Sequence, residues 1–290
     1  MTVDLGSISC GLTEAEPGFW VGPRSGELHY DSTRSMHWRE AEDASGWHQH
    51  RAAVVTDIVA AYPPDGWVLD LGGGNGFVSR ALVKAGIPAV VVDPVDAAVH
   101  AAYERGLRPV VCSSIDAAGF APGSLPAVGM FDVLEHLDDD LGHLLLIRTL
   151  LVPGGRLYLT VPKHQWLWSS HDAEAGHQRR YNVRTLCDVV QRAGFVIEHQ
   201  SSLFSVLLAP MLVRRMLPVG RGRANGSVVA DPTAGDGLGA RALRRALARE
   251  RSQLRRHGRR VGTSIILVAR AGRPGSPSAG QGRTSSAMHS

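Results

Sequence analysis

The nine residues VLDLGGGNG, Val68 to Gly76, constrain this chain more than any others. The short apolar run reads as a strand buried on both faces, and it carries Asp70 toward its carboxyl end. Glycines at 72, 74 and 76 then turn the chain. Glycine is required where backbone approaches a ligand closely or takes a positive φ. Open α/β sheets bind their ligands at this edge, outside the carboxyl ends of the strands.

The pattern around the turn fits such a sheet. From Gly46, WHQHRAAVVTDIVAAY carries Trp47, Val54, Ile58 and Tyr62 at helical spacing and stops at Pro63-Pro64. Ala89–Val92, Pro109–Cys112, Ala127–Phe131, RLYLTV and FVIEHQSSL read as further strands. Helices fall over Pro94–Arg105, over Leu141–Leu151 and, capped by Asn182, up to Ala193. Together they give a doubly wound, mostly parallel α/β domain. Residues 1–45 lack a clear period and read as an irregular arm or lid leading into the helix from Gly46. Residues 46–203 form the core, 204–260 an apolar and then basic insertion, and 261–271 a last strand returning to the sheet. The linker over 218–237 is Gly-rich, and 272–290 read as a disordered tail.

Composition narrows the class. Of 290 residues, 44% are hydrophobic and 20% charged, ordinary for a globular protein with a real core. No run approaches the roughly 18 apolar residues of a membrane span. Cys10, Cys112 and Cys187 form no CxxC pair, and no basic-plus-apolar leader stands at the N-terminus. The expectation is therefore a cytoplasmic protein without disulfides or structural zinc. His48 and His50, two apart on a helix, point to different faces, and no acidic triplet stands nearby. No metal is expected.

Two adenine cofactors compete for the glycine turn. A dinucleotide fingerprint, GxGxxG/A, would end on a small residue, and counting from Gly72 that position is the bulky Phe77. The spacing is GxGxG instead. S-adenosyl-L-methionine has no pyrophosphate, and its amino-acid end suits a carboxylate beside open backbone groups. Some twenty residues on, VVVDP places Asp93 where an acid can accept both ribose hydroxyl protons.

With VLDLGGGNG, VVVDP, GMFDVLEHL and LVPGGRLYLTVP in this order, the chain resembles the class I S-adenosylmethionine-dependent methyltransferases over residues 45–203 and the last strand. The resemblance implies a seven-stranded Rossmann-like sheet whose last strand is antiparallel. It sets Asp70, Gly72 and Gly74 around the methionine part, Asp93 at the ribose, Ser114 and Ile115 beside the adenine, and Met130 and Phe131 near the sulfonium. Asp116 is the alternative to Ser114 at the adenine amine.

The implied activity is metal-independent methyl transfer to a small-molecule acceptor, oxygen favoured over nitrogen or carbon. In-line transfer depends on alignment, and an oxygen or nitrogen acceptor can also need a base, for which histidine is suited. The EH pair of FDVLEHL is similar to that of ubiquinone-biosynthesis O-methyltransferases and puts His136 beyond the fourth strand. WLWSSHDAEAGHQRRY, Trp166 to Tyr181, is similar to a D…GHxRRY stretch of generic bacterial methyltransferases. His136, His177 and Tyr181 are the candidate catalytic groups. Trp168, His171, Arg179 and Arg180 are candidate acceptor contacts, an arginine suiting an anionic acceptor. The plainer alternatives are a His136 that only bonds backbone, and a self-contained knot in which Asp172 pairs with Arg179 or Arg180.

Other readings stand beside this one. Phe77 opposes a nucleotide-cofactor oxidoreductase. The helix ARALRRALARERSQLRRHGRR could serve an RNA-modifying protein, but no aromatics interleave it, and nucleic acid is not expected. Leu203–Leu217 with Arg214, Arg215, Arg221 and Arg223 could rest on an anionic membrane. The break at Pro210 favours a wall over the sheet or a homodimer interface.

Overall fold

A computed structural model gives the fold and describes residues 3–24, 45–208, 237–254 and 258–272. Among these, nine strands form one sheet: β1 (Thr13–Glu16), β2 (Phe19–Val21), β3 (Val68–Leu71), β4 (Ala89–Asp93), β5 (Val110–Cys112), β6 (Leu125–Phe131), β7 (Leu151–Pro162), β8 (Phe195–Leu203) and β9 (Ser264–Ala271). The helices include α1 (Gly46–Ala61), α2 (Phe77–Lys84), α3 (Asp96–Glu104), α4 (Asp140–Leu150), α5 (Ser170–Glu174), α6 (Val183–Arg192) and α7 (Leu238–Leu254).

The strand order is β1-β2-β5-β4-β3-β6-β7-β9-β8. From β3 the chain builds outward through β4 and β5, then returns to lay β6 and β7 on the other flank of β3. That reversal opens a crevice beyond the carboxyl end of β3. Leu71 is in register with both Val92 and Met130, so the chain leaves three neighbouring strands together at residues 72, 93 and 131. Strand β9 runs antiparallel to both β7 and β8, as the resemblance implies.

Alternation along the strands feeds two cores. Leu69, Leu71, Val90, Val92 and Met130 meet α4 and α6 through Leu144, Ile147, Leu186 and Val190. Val68, Ala127, Phe131 and Val268 meet α1, α2 and α7 through Val55, Ile58, Leu82 and Leu247. Full burial of each such aliphatic side chain contributes about 1.5–3 kcal/mol. Ser45 caps α1 by accepting from the His48 amide, and Asn182 caps α6 in a reciprocal box with Thr185.

The arm expected to be irregular over 1–45 instead holds a hairpin. Strand β1 pairs antiparallel with β2, and β2 pairs parallel with β5, taking the sheet from seven strands to nine. Its residues gave little warning, because β1 is exposed throughout and Phe19 is the one buried side chain of the hairpin. The basic helix α7 turns Leu247 and Leu254 inward and leaves Arg241, Arg244, Arg245 and Arg249 exposed. Arg251 forks onto both carboxylate oxygens of Asp57 on α1, at 2.6 and 2.9 Å. No helix among the described residues is long and apolar enough to cross a membrane. The Gly-rich linker up to residue 236, the arginines at 214, 215, 221 and 223, and the tail beyond residue 272 lie outside the described residues.

Candidate functional site

Gly72, Gly74 and Gly76 all take left-handed φ values, +67°, +55° and +73°. The three are not equivalent. A Cβ on Gly72 would stand 2.7 Å from Val133, and one on Gly76 2.2 Å from Leu107, so both are fixed by packing as well as by φ. A Cβ on Gly74 would meet nothing within 4 Å, so this stretch of backbone faces open space. The Gly74 amide donates to Asp93 Oδ2 at 2.9 Å, and the Val95 amide donates to Oδ1 at 2.8 Å. Each carboxylate oxygen keeps accepting capacity beyond these bonds. Burial pushes the Asp93 carboxyl up, against the two amides that favour its charge.

Asp70, expected at the methionine end, lies under the glycine turn. It is 1% exposed, and its carboxylate accepts from Ser79 Oγ at 2.6 Å. Burial raises its pKa to about 6, outweighing the Ser79 bond and the nearby Arg51. Asp70 therefore braces the turn from below and presents no surface to a ligand.

At the end of β5, Ser113 is buried and donates from Oγ to the Pro23 carbonyl at 2.6 Å. The arm thus crosses the edge where Ser114 is half-buried and Ile115 buried. On the other flank Met130 and Phe131 are buried at the end of β6. Arg51 reaches across from α1, donating to the Phe131 carbonyl at 2.5 Å and pairing with Asp132 at 2.6 Å. Asp132 itself has a φ of +58°, rare for a residue other than glycine, and Thr160 Oγ1 also holds it, at 3.1 Å. Non-glycine residues held in this way cluster at functional sites. Neither Arg51 nor the strain at Asp132 could be read from the sequence.

Beyond Asp132 a turn over Leu134–His136 aims Glu135 and His136 inward. Glu135 is fully buried, and neither of its carboxylate oxygens has a hydrogen-bond partner among the described residues. Burial, reinforced by the Asp132 charge, pushes its pKa well above the usual carboxylate value. The ring of His136 meets that of His177 edge to face, with centroids 4.7 Å apart. Burial and the His177 charge lower its pKa to about 4. The ligand atoms of Glu135, His136 and His177 lie within 4.8 Å of one another, a donor set of the kind that suits a divalent cation. From sequence, His136 drew the attention and Glu135 received no role.

The 166–181 stretch folds around Asp172, which is fully buried. Its carboxylate accepts from His177 Nδ1 at 2.9 Å, from Arg180 at 2.7 and 3.0 Å, and from the Ser169 amide and hydroxyl. Burial opposes the charge, but the His177 and Arg180 bonds outweigh it and hold this carboxyl below the usual range. Arg179 pairs with Asp140 at 3.1 Å and donates to the Asp138 carbonyl at 2.9 Å. Tyr181 is buried, its hydroxyl donating to Asp140 at 2.7 Å, and burial followed by that bond raises its pKa. Of the candidates here, His177 joins His136 and Glu135, while Tyr181 and Arg180 hold the loop. His171 is exposed on α5 and Trp168 half-buried just before it.

Solved structures share this architecture. The putative methyltransferase bound to the Haloferax volcanii Trm112 activator aligns with a TM-score of 0.52 at 18% identity, covering 83% of this chain and 94% of that one. Phosphoethanolamine N-methyltransferase 2 of Haemonchus contortus aligns with a TM-score of 0.53 at 18% identity, covering 85% of this chain and 59% of that one. The sheet order is thus that of the Rossmann-like methyltransferase fold. The family described as "Methyltransferase domain" matches residues 47–200, more than half of the chain, and the chain belongs to it. Ubiquinone biosynthesis O-methyltransferase of Xanthomonas campestris pv. campestris is 35% identical over 115 residues, 37% of this chain and 48% of that protein. The namesake of Xanthomonas oryzae pv. oryzae is 32% identical over 99 residues, 32% of this chain and 41% of that protein. The chain spans about half the length of these curated relatives.

Proposed function

We propose that this protein binds S-adenosyl-L-methionine across Gly72–Gly76 and Asp93 and transfers its methyl group, without a metal, to a small-molecule acceptor, oxygen first among acceptor atoms. The bound cofactor would supply a methyl carbon already activated by its sulfonium. The observation that carries the reading is Gly74 backbone facing open space while its amide is bonded to Asp93, which leaves both carboxylate oxygens able to accept ribose hydroxyls. Gly72 and Gly74 would line the methionine end, with Ser114 and Ile115 at the adenine and Met130 and Phe131 near the sulfur.

His136 and His177 are the groups offered to the acceptor, with Glu135 fully buried beside them. An imidazole with a pKa of about 4 is neutral at physiological pH and a weak base, so His136 orients the acceptor by hydrogen bonding. Burial, with the Asp132 charge, disfavours ionisation of Glu135. His177 donates Nδ1–H to Asp172, which leaves Nε2 with its lone pair for the acceptor's proton. Oxygen is favoured by the names of the ubiquinone O-methyltransferase relatives.

Calorimetric titration of chelator-treated protein with S-adenosylhomocysteine tests the reading. Saturable binding is expected, and Asp93→Ala should weaken it at least about tenfold, since two charge-assisted contacts go. Binding that Asp93→Ala leaves untouched, or that appears only after divalent metal is restored, would refute it.

A further inference from the structure

A cleft of about 560 Å³ opens between the start of α4, the 179–181 stretch and the length of α6. Its walls carry four guanidiniums, from Arg179, Arg180, Arg184 and Arg192, against two carboxylates, Asp140 and Asp188. Arg179 answers Asp140, and Arg180 is committed to Asp172. Arg192 lies 3.6 Å from Asp188 with both side chains more than half exposed, a pair that solvent weakens. Arg184 is exposed and has no ion pair among the described residues. It stands in the first turn of α6, where backbone N–H groups lack intrahelical acceptors and the helix end is positive.

With Asp172 answering Arg180, the cluster leaves one guanidinium uncancelled, four less three, at Arg184, and the exposed Arg192 is held only by its weak pair with Asp188. A guanidinium fork can take two oxygens of a phosphate monoester at once. The cleft is linked to the acceptor end of the site through shared partners. Arg180 and His177 share the Asp172 carboxylate, and Arg179 holds the carbonyl of Asp138, two residues from His136.

We infer that this cleft binds the phosphate of a phosphorylated small-molecule acceptor, with Arg184 and Arg192 as its anchoring cations. Binding of phosphate by the cleft stands by itself, whereas its identity as part of the acceptor rests on the methyl-transfer reading. In this arrangement Arg179 and Arg180 keep their internal pairs and shape the inner wall. Arg184 and Arg192, at the open side, give up water and a weak partner to meet the anion.

The test is calorimetric titration of the full chain with glycerol 3-phosphate at low salt, with S-adenosylhomocysteine titrated separately. Arg184→Gln should weaken glycerol 3-phosphate binding at least about tenfold, the worth of one charged hydrogen bond, and Arg184→Gln/Arg192→Gln should weaken it further. Arg241→Gln, on the exposed face of α7, should bind like the wild-type protein. A second arm uses vesicles containing phosphatidic acid. Capture that Arg184→Gln abolishes would show a lipid-borne phosphate at the same cleft, and binding of the soluble monoester alone would show a free metabolite. Wild-type protein that binds neither probe, or loses binding equally in Arg241→Gln, overturns the inference. S-adenosylhomocysteine binding intact in that case would leave the methyl-transfer reading standing, and its loss with phosphate binding intact would remove that reading alone.

Discussion

Gly74 and Gly76 have nearly the same backbone conformation, at +55° and +73° in φ, yet an added methyl would meet opposite surroundings. At 76 the Cβ would lie 2.2 Å from Leu107 Cδ1 and 3.2 Å from Ala102 Cβ, inside the packing beside α3. At 74 it would meet no protein atom within 4 Å. A left-handed alanine costs about 1–2 kcal/mol at either position. Overpacking adds about 1–3 kcal/mol, and only at 76. Gly76→Ala should therefore lose about 2–5 kcal/mol of stability and Gly74→Ala about 1–2 kcal/mol. Urea denaturation reads both as a lower midpoint at unchanged slope. Binding should invert the order. The methyl at 74 enters the space assigned to the cofactor, so Gly74→Ala should bind S-adenosylhomocysteine at least about tenfold more weakly. Gly76→Ala, where folded, should keep its affinity. A folded Gly74→Ala protein with wild-type affinity would refute the placement of the ligand over this turn.

Burial keeps the Glu135 carboxyl protonated in the folded state after the unfolded chain has released its proton, so stability from this group is full below the ordinary carboxylate pKa and falls as pH rises through the folded one. The slope is about 1.4 kcal/mol per pH unit for one such group, and Asp70, raised to about 6, adds the same sign up to there. Glu135→Gln should remove its share of that slope in urea titrations carried upward from the ordinary carboxylate pKa. A variant whose pH dependence parallels the wild-type protein would mean that Glu135 is ionised when folded. Tyr181→Phe should cost about 1–2 kcal/mol through loss of the bond to Asp140, with turnover per folded molecule unchanged. A drop on the order of a hundredfold, the size of a general acid–base contribution, would return the phenol to the chemistry.

What could be read from the sequence followed the range of the forces involved. The turn at Gly72–Gly76 and the acid at 93 were legible because glycine and a strand-end carboxylate announce local backbone requirements. The hairpin Thr13–Val21 was not, since its strands are short and one side chain carries its burial. The knot around Asp172 was foreseen as an alternative because its donors lie within twelve residues, from Ser169 to Arg180. Which arginine went to which acid depended on Asp140, some forty residues earlier and brought alongside by the sheet. Arg51 on the Phe131 carbonyl is the extreme case: eighty residues separate the two, and no spacing rule links them.

The division of labour at the acceptor end follows from charge. Asp172 is saturated by five donors, and Asp140 is shared by Arg179 and Tyr181, so neither carboxylate is free to take a proton from a ligand. Burial disfavours a charge on Glu135, and His136 resists acquiring a proton because burial and a neighbouring imidazole both penalise its cation. The remaining imidazole, His177, is the one whose cation has a carboxylate directly beside it. On the proposed reading, an acceptor that must be deprotonated would pass its proton to His177, with Asp172 offsetting the charge where it forms. On the same reading His136 would govern where the acceptor sits, and the two arginines of the loop how rigidly the whole assembly is held.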